Sequence, residues 1–191
     1  MWPQQKAISL LVIIMLGLPS FANTNESNAL EYDFGQDKSG YNWRVINDGV
    51  MGGLSRGQAK LTENSLFYTG DISLENNGGF SSLKAPFVRT DLSAFKTVVL
   101  RYRHSGHQLG LTFEWHPRFW RTYHKQILET TKGEWQTVRF DLNKIPQFRL
   151  TGPTGRVMQE KDLKRIIRIG FIASEKKSTS FEFEIDYLRF E

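Results

Sequence analysis

Near its C-terminus the chain sets Phe181, Phe183, Ile185 and Tyr187 against Glu182, Glu184 and Asp186, apolar and acidic residues in alternation. A period of two sends successive side chains to opposite faces of a strand, so one face is expected to be buried and the other wet. The same period recurs upstream. Val98, Leu100 and Tyr102 alternate with Val99, Arg101 and Arg103, and Leu109, Leu111, Phe113 and Trp115 follow the same rule. So do Val138, Phe140 and Leu142, and then Ile167, Ile169 and Phe171. Turn signals return every 10 to 15 residues or so, the spacing of a sandwich or barrel. Helical pattern is confined to single turns at Asp91–Phe95, with Asp91 as cap, and at Glu160–Arg165. These features predict an all-β chain, a β-sandwich of jelly-roll type with about ten or eleven strands. No internal repeat, linker or second domain is apparent.

The first residues belong to targeting rather than to the fold. Met1–Lys6 carries one lysine, Ala7–Leu18 is an apolar run of twelve, and Pro19-Ser20-Phe21-Ala22 closes it. Ser20 and Ala22 occupy the small-residue positions a signal peptidase needs, which predicts cleavage before Asn23. A membrane span needs roughly 20 apolar residues, and this run falls short. The expected organisation is a signal peptide at 1–22, a polar flexible lead-in at 23–29 and one domain at 30–191. The expected location is the periplasm or the exterior.

Removing 22 of the 191 residues leaves 169, with 24 basic and 20 acidic side chains once Lys6 is gone. That excess is small and interleaved along the strands, so no nucleic-acid partner is implied. The chain has no cysteine. Its core must therefore suffice without disulfides in an oxidising compartment, and thiolate catalysis, thiolate metal sites and lipoprotein acylation are excluded.

Two loops stand out. Trp43–Gly57 reads WRVINDGVMGGLSRG, in which Asn47-Asp48-Gly49 and Gly52-Gly53 break the chain twice within a few residues. Asn, Asp and Gly accept left-handed backbone, so this is a tightly folded surface loop. Phe67–Ser82, FYTGDISLENNGGFSS, repeats the style with Asn76-Asn77-Gly78-Gly79. Together they resemble the signature of the CIA30 family, the domain named for the complex I intermediate-associated protein. Asn47–Ser55 resembles the family's core motif, Phe67, Gly70 and Gly78-Gly79-Phe80 its second block, and Trp135–Phe140, Ile169-Gly170-Phe171 and Phe181–Leu188 its closing strands. The resemblance runs from about Tyr32 to Glu191, with Glu114–Lys125 as the departure. It implies a galactose-binding-like sandwich, an architecture shared with carbohydrate-binding modules, and an assembly or chaperone-like role.

Three stretches are candidate binding sites. In the first loop Asp48 and Asn47 offer oxygens to a ligand or to a structural calcium ion; alternatively they bond back to their own loop while Met51 and Leu54 plug the core. In the second, Asn76 and Asn77 either meet the first loop in one polar surface or form an ordinary hairpin turn. The third is Trp115–His124, WHPRFWRTYH. Exposed rings at Trp115, Trp120 or Tyr123 suit stacking on sugars, and Arg118 and Arg121 suit an anion, so an acidic glycan, a lipid headgroup or a partner protein all fit. The alternative there is that Trp115 and Phe119 are core residues.

Catalysis has little support. The histidines are His104, His107, His116 and His124, with no His-Glu-x-x-His, no Gly-x-Ser-x-Gly and no phosphate loop. Ser55, His107 and Asp48, or the carboxylates Glu114 and Asp48, can be proposed as sets only on paper. The expected function is an exported, non-catalytic binding module, protein-binding and assembly-assisting in the cell envelope. The alternatives are a carbohydrate-binding module for an acidic glycan and a hydrolase of an envelope or extracellular substrate. No cofactor is expected, and no transmembrane segment after cleavage. Nothing in the sequence signals an oligomeric state.

Overall fold

The computed structural model describes residues 29–191. The signal peptide and the lead-in up to residue 28 lie outside the described residues. Thirteen strands follow in chain order: β1 Leu30–Asp33, β2 Arg44–Asn47, β3 Arg56–Leu61, β4 Leu66–Ile72, β5 Ser81–Lys84, β6 Thr97–Gly106 and β7 Leu109–Glu114. They continue as β8 Tyr123–Leu128, β9 Gln136–Asp141, β10 Pro146–Arg149, β11 Gly152–Val157, β12 Arg168–Ala173 and β13 Thr179–Phe190. The number exceeds the expected ten or eleven because short pieces such as β1, β10 and β11 lack a readable alternation. One α-helical turn, α1 at Glu160–Leu163, carries a capping box between Gln159 and Asp162. The other expected turn, at Asp91–Phe95, forms without becoming an α-helix: the Phe95 amide donates to the Leu92 carbonyl at 3.1 Å, and the Asp91 carboxylate accepts from the Ser93 amide and hydroxyl.

The strands make two antiparallel sheets. The first runs β3-β4-β13-β6-β9, with β1 on the C-terminal part of β13, and the second runs β11-β10-β8-β7-β12-β5-β2. The alternation in β13 holds as far as Ile185, where a bulge shifts the register. Leu188 and Phe190 then turn inward, and Tyr187, expected on the buried face, lies on the outer face opposite Arg101. Val99, expected to be wet, is buried; its cross-strand neighbours are Arg189 and Arg139, whose aliphatic stems shield a small side chain.

The sheets meet along an aromatic seam. Phe171 of β12 packs on Phe183 of β13 at 4.7 Å between ring centroids, and Phe113 of β7 meets Phe190 of β13 at 6.3 Å. Trp43 stacks on Phe171 at 5.9 Å and takes the edge contact of Phe34 at 5.2 Å. Each fully buried ring contributes about 2–3 kcal/mol of transfer free energy, which is how the sheets cohere without disulfides.

The core also holds a histidine. His124 on β8 is fully buried, with Asp162 Oδ2 3.6 Å from its Nε2. Burial pushes its pKa down to about 4; Asp162 works against that fall and Arg165 adds to it. His104 is likewise pushed down by burial. Unfolding frees these rings to titrate at the ordinary histidine value of 6.5, so below that pH the unfolded state binds more protons. Stability is therefore expected to be flat above pH 6.5 and to fall between pH 6.5 and 4. Denaturant titrations across that window should show the slope reduced in His124→Leu, with the remainder set by His104.

Candidate functional site

Among the connections that pass from sheet to sheet, two lie together at one end of the sandwich. The chain from β2 to β3 goes from the seven-stranded to the six-stranded sheet, and the chain from β4 to β5 returns. Neither is a hairpin, so the hairpin expectation for Asn76 and Asn77 is corrected. We call this the crossover end. Because β2 pairs β5 and β3 pairs β4, the two crossovers lie side by side.

Asp48 binds them together. It is 1% exposed and accepts four hydrogen bonds: from the Ser55 amide at 2.9 Å, the Ser55 hydroxyl at 2.5 Å, and the Gly79 and Phe80 amides at 2.6 and 3.1 Å. Burial pushes the carboxyl up, but the bonds from Ser55, Gly79 and Phe80 outweigh it and hold the pKa below the usual carboxylate range. A carboxylate ringed by N–H and O–H donors is satisfied as an anion and is no ligand for calcium. Asn47 does the adjacent joint, its Oδ1 accepting from the Gly57 amide at 3.0 Å and the Ser81 hydroxyl at 2.6 Å. Both residues thus bond back within their loops. The backbone closes tightly around them: a Cβ at Gly53 would lie 2.4 Å from the Asp48 carboxylate and 2.8 Å from Gly78 Cα.

What the loops display differs from the expectation. Met51 and Leu54 do not plug the core; Met51 is 62% and Val50 78% exposed, and Leu54 and Leu74 stand out beside them. The short 3-10 turn at Asp48–Met51 spends its inward position on Asp48, so the residues after it point to solvent. Asn76 and Asn77 are exposed on the neighbouring crossover, both with positive φ, at 53° and 59°. The apolar quartet was missed because aliphatic residues in a motif read as core; the clue was their position inside two consecutive turn signals.

The stretch Trp115–His124 lies at the opposite end, in the β7–β8 connection. Trp115 is half-buried, its indole N–H donating to the Thr122 carbonyl and its ring covered by the Arg165 guanidinium at 3.5 Å. A turn closed by the Arg121 amide on the Arg118 carbonyl at 3.1 Å puts Phe119 and Trp120 at its two corners. Both are thrown outward, 60% and 53% exposed, edge to face at 5.2 Å, with Arg118 over Trp120 at 5.6 Å. Phe119 is thus not a core residue. Tyr123 lies half-buried on the outer face of the seven-stranded sheet, 6.2 Å from Phe148, and burial and then Glu114 raise its pKa. His124 alone turns inward.

The paper sets for catalysis do not assemble. His107 is buried with both ring nitrogens on carbonyls, those of Gln108 and Glu175 at 2.9 and 2.8 Å, away from Ser55 and Asp48. Glu114 is at the far end from Asp48, held by Lys84 and Arg168 at 2.5 Å each. Among the described residues, the His–carboxylate approach at His124 and Asp162 is sealed in the core, and no cluster of three metal-ligating side chains occurs. A groove of about 520 Å³ crosses the outer face of the six-stranded sheet, lined by Arg56, Gln58, Phe67, Asp71 and Glu182.

Removing the Asp48 carboxylate leaves buried amides without a partner, so Asp48→Ala should cost about 3 kcal/mol in chemical denaturation. Gly53→Ala should be destabilising through its clash with that carboxylate, whereas Val50→Ser should stay within about 0.5 kcal/mol of the parent.

The model of the Complex I intermediate-associated protein 30 family matches residues 32–185. No curated protein matches the chain. Among solved structures, the family 11 carbohydrate-binding module of the cellulosomal cellulase Lic26A-Cel5E of Clostridium thermocellum is similar at a TM-score of 0.59 and 15% identity, over 84% of this chain and 93% of that one. The same organism's family 11 module in complex with a β-1,3-1,4-mixed-linked tetrasaccharide gives 0.56 and 14%, over 78% and 88%. An agarase is similar at 0.56 and 14%, over 85% of this chain but only 24% of its own. At such identities the likeness is one of fold, and it bears out the expected jelly-roll β-sandwich. With both crossovers inside the matched residues, the chain belongs to the CIA30 family.

Proposed function

We propose that this protein is an exported, non-catalytic binding module that holds a protein partner in the cell envelope, in an assembly-assisting role. One observation carries the reading: Val50, Met51, Leu54 and Leu74 stand in solvent on backbone that Asp48 locks in place. Exposed aliphatic side chains have a hydration cost that a partner surface removes. A loop already rigid in the free protein loses little entropy on docking, so more of that gain appears as affinity. The family name supports association with an assembly intermediate, and the leader at Met1–Ala22 supports export.

Crosslinking in intact cells is expected to join the wild type to one defined envelope protein. The Val50→Asp/Met51→Asp variant, with unchanged thermal stability, should lose that product. Retention of the product in the variant would move the contact elsewhere. Export itself predicts a periplasmic or secreted product whose first residue is Asn23, which N-terminal sequencing reads directly.

A second reading, glycan binding, is favoured by the groove over the six-stranded sheet, where Phe67 offers a ring among Arg56, Gln58 and Asp71. The likeness of fold to carbohydrate-binding modules supports it. Intrinsic tryptophan fluorescence titrated with neutral and acidic oligosaccharides tests it. A change that disappears in Phe67→Ala supports this reading, and indifference to the whole panel ends it.

A further inference from the structure

The end opposite the crossovers is built from three separate connections that repeat one arrangement. In the segment after β5, Phe87 and Val88 are exposed and Arg89 follows. In the β7–β8 connection, exposed Phe119 and Trp120 are bracketed by Arg118 and Arg121. At the β10–β11 turn, exposed Leu150 follows Arg149. Pairing holds the three together: Phe148 lies opposite Tyr123, Ile167 donates to the Glu114 carbonyl, and Val88 donates to the Ile167 carbonyl. Four strand spacings separate β10 from β5, so the tips spread over about 20 Å.

On the seven-stranded sheet's side of this end the charge is one-sided. Glu114 is consumed by Lys84 and Arg168, and Asp162 by Arg165. Glu160 is paired with Lys164, and Asp91 remains as an exposed carboxylate. Arg89, Arg118, Arg121 and Arg149 have no carboxylate within 4 Å among the described residues. Apolar tips thus rise from a surface of unneutralised guanidinium groups.

We propose that this end docks on an anionic lipid surface, with Phe119, Trp120, Phe87 and Leu150 entering the headgroup region and the arginines holding lipid phosphates. Three points favour lipid over a folded partner or a sugar chain. The apolar tips come from three connections at one end of a single sheet, which a broad surface can meet at once. Trp and Phe with Arg is the pairing that an interface of apolar and anionic layers selects. The exposed guanidinium groups match the negative surface potential of such a membrane. The crossover end, with Glu75 and Glu175 beside Lys176 and Lys177, lacks this bias, so the docked protein would present its Val50–Leu54 loop away from the bilayer. This inference uses none of the residues assigned to the protein partner.

Flotation of the exported form, which begins at Asn23, with vesicles tests it. Phosphatidylcholine vesicles are compared with ones carrying about 30 mol% phosphatidylglycerol, in about 0.05 M and 0.5 M salt. Anionic lipid is expected to raise the bound fraction, and the higher salt to reduce that gain. The Arg118→Gln/Arg121→Gln/Arg149→Gln variant should bind anionic vesicles at least tenfold more weakly, each lost charge being worth roughly fivefold. Brominated lipid should quench tryptophan emission in the wild type and markedly less in Trp120→Ser. The Val50→Asp/Met51→Asp variant should bind vesicles like the wild type, which separates this outcome from that of the protein-partner reading. Equal binding to both vesicle types, or a gain that survives the triple substitution, overturns the proposal. So does binding of soluble polygalacturonate in place of vesicles, which would assign the surface to acidic glycans.

Discussion

The contact between Phe171 and Phe183 is the joint on which the structure rests, because it ties the middle of one sheet to the middle of the other. With no cysteine to staple them, the sheets are held by apolar packing, with rings at its centre: Trp43, Phe34 and Tyr102 gather around this pair, Phe113 and Phe190 extend it, and buried Leu, Ile and Val residues fill the rest. A sandwich closed in this way buries its strands, and the loops at its two ends are freed to carry different chemistry. The positions of every candidate residue follow from which end its strand leads to.

The two ends solve opposite physical problems. At the crossover end, the β2–β3 and β4–β5 connections pass between sheets and leave amides that no ladder satisfies. Asp48 satisfies three of them and the Ser55 hydroxyl, and Asn47 satisfies another. The polar residues of this motif are therefore spent inside, and its aliphatic residues are what a partner meets. At the arginine end the carboxylates are spent instead, on Lys84, Arg165 and Arg168, and the remaining guanidinium groups face solvent beside aromatic tips. One surface is apolar with mixed charge at its margin, and the other is apolar and cationic.

Much of the fold was legible because alternation is a local property. Leu109, Leu111 and Phe113, or Phe181 and Phe183, are inward wherever the strands go, since a pleat puts them on one face. The α1 turn was equally readable from its acidic start. The errors have a common cause. The bulge after Ile185 exchanged the faces of Tyr187 and Leu188, and no residue there announces a bulge. Val99 was buried by neighbours from β13 and β9, which are distant in sequence. Met51, Leu54 and Phe119 could be read as core because they are apolar, yet Met51 sits on a turn whose inward position Asp48 takes, and Phe119 sits on a turn whose four residues all face solvent.

By itself, then, the sequence determined the class of the fold, the faces of its longer strands, the need for a disulfide-free core and the family motif. Those depend on residues within a few positions of one another. The tertiary structure decided that Asn47-Asp48 is internal scaffolding, that Asn76 and Asn77 sit on a crossover, and that Trp115–His124 lies at the far end. It also decided which charges are neutralised. Such outcomes turn on pairing between segments many residues apart, and neither the partner strand nor the direction a loop leaves it is written in the local pattern.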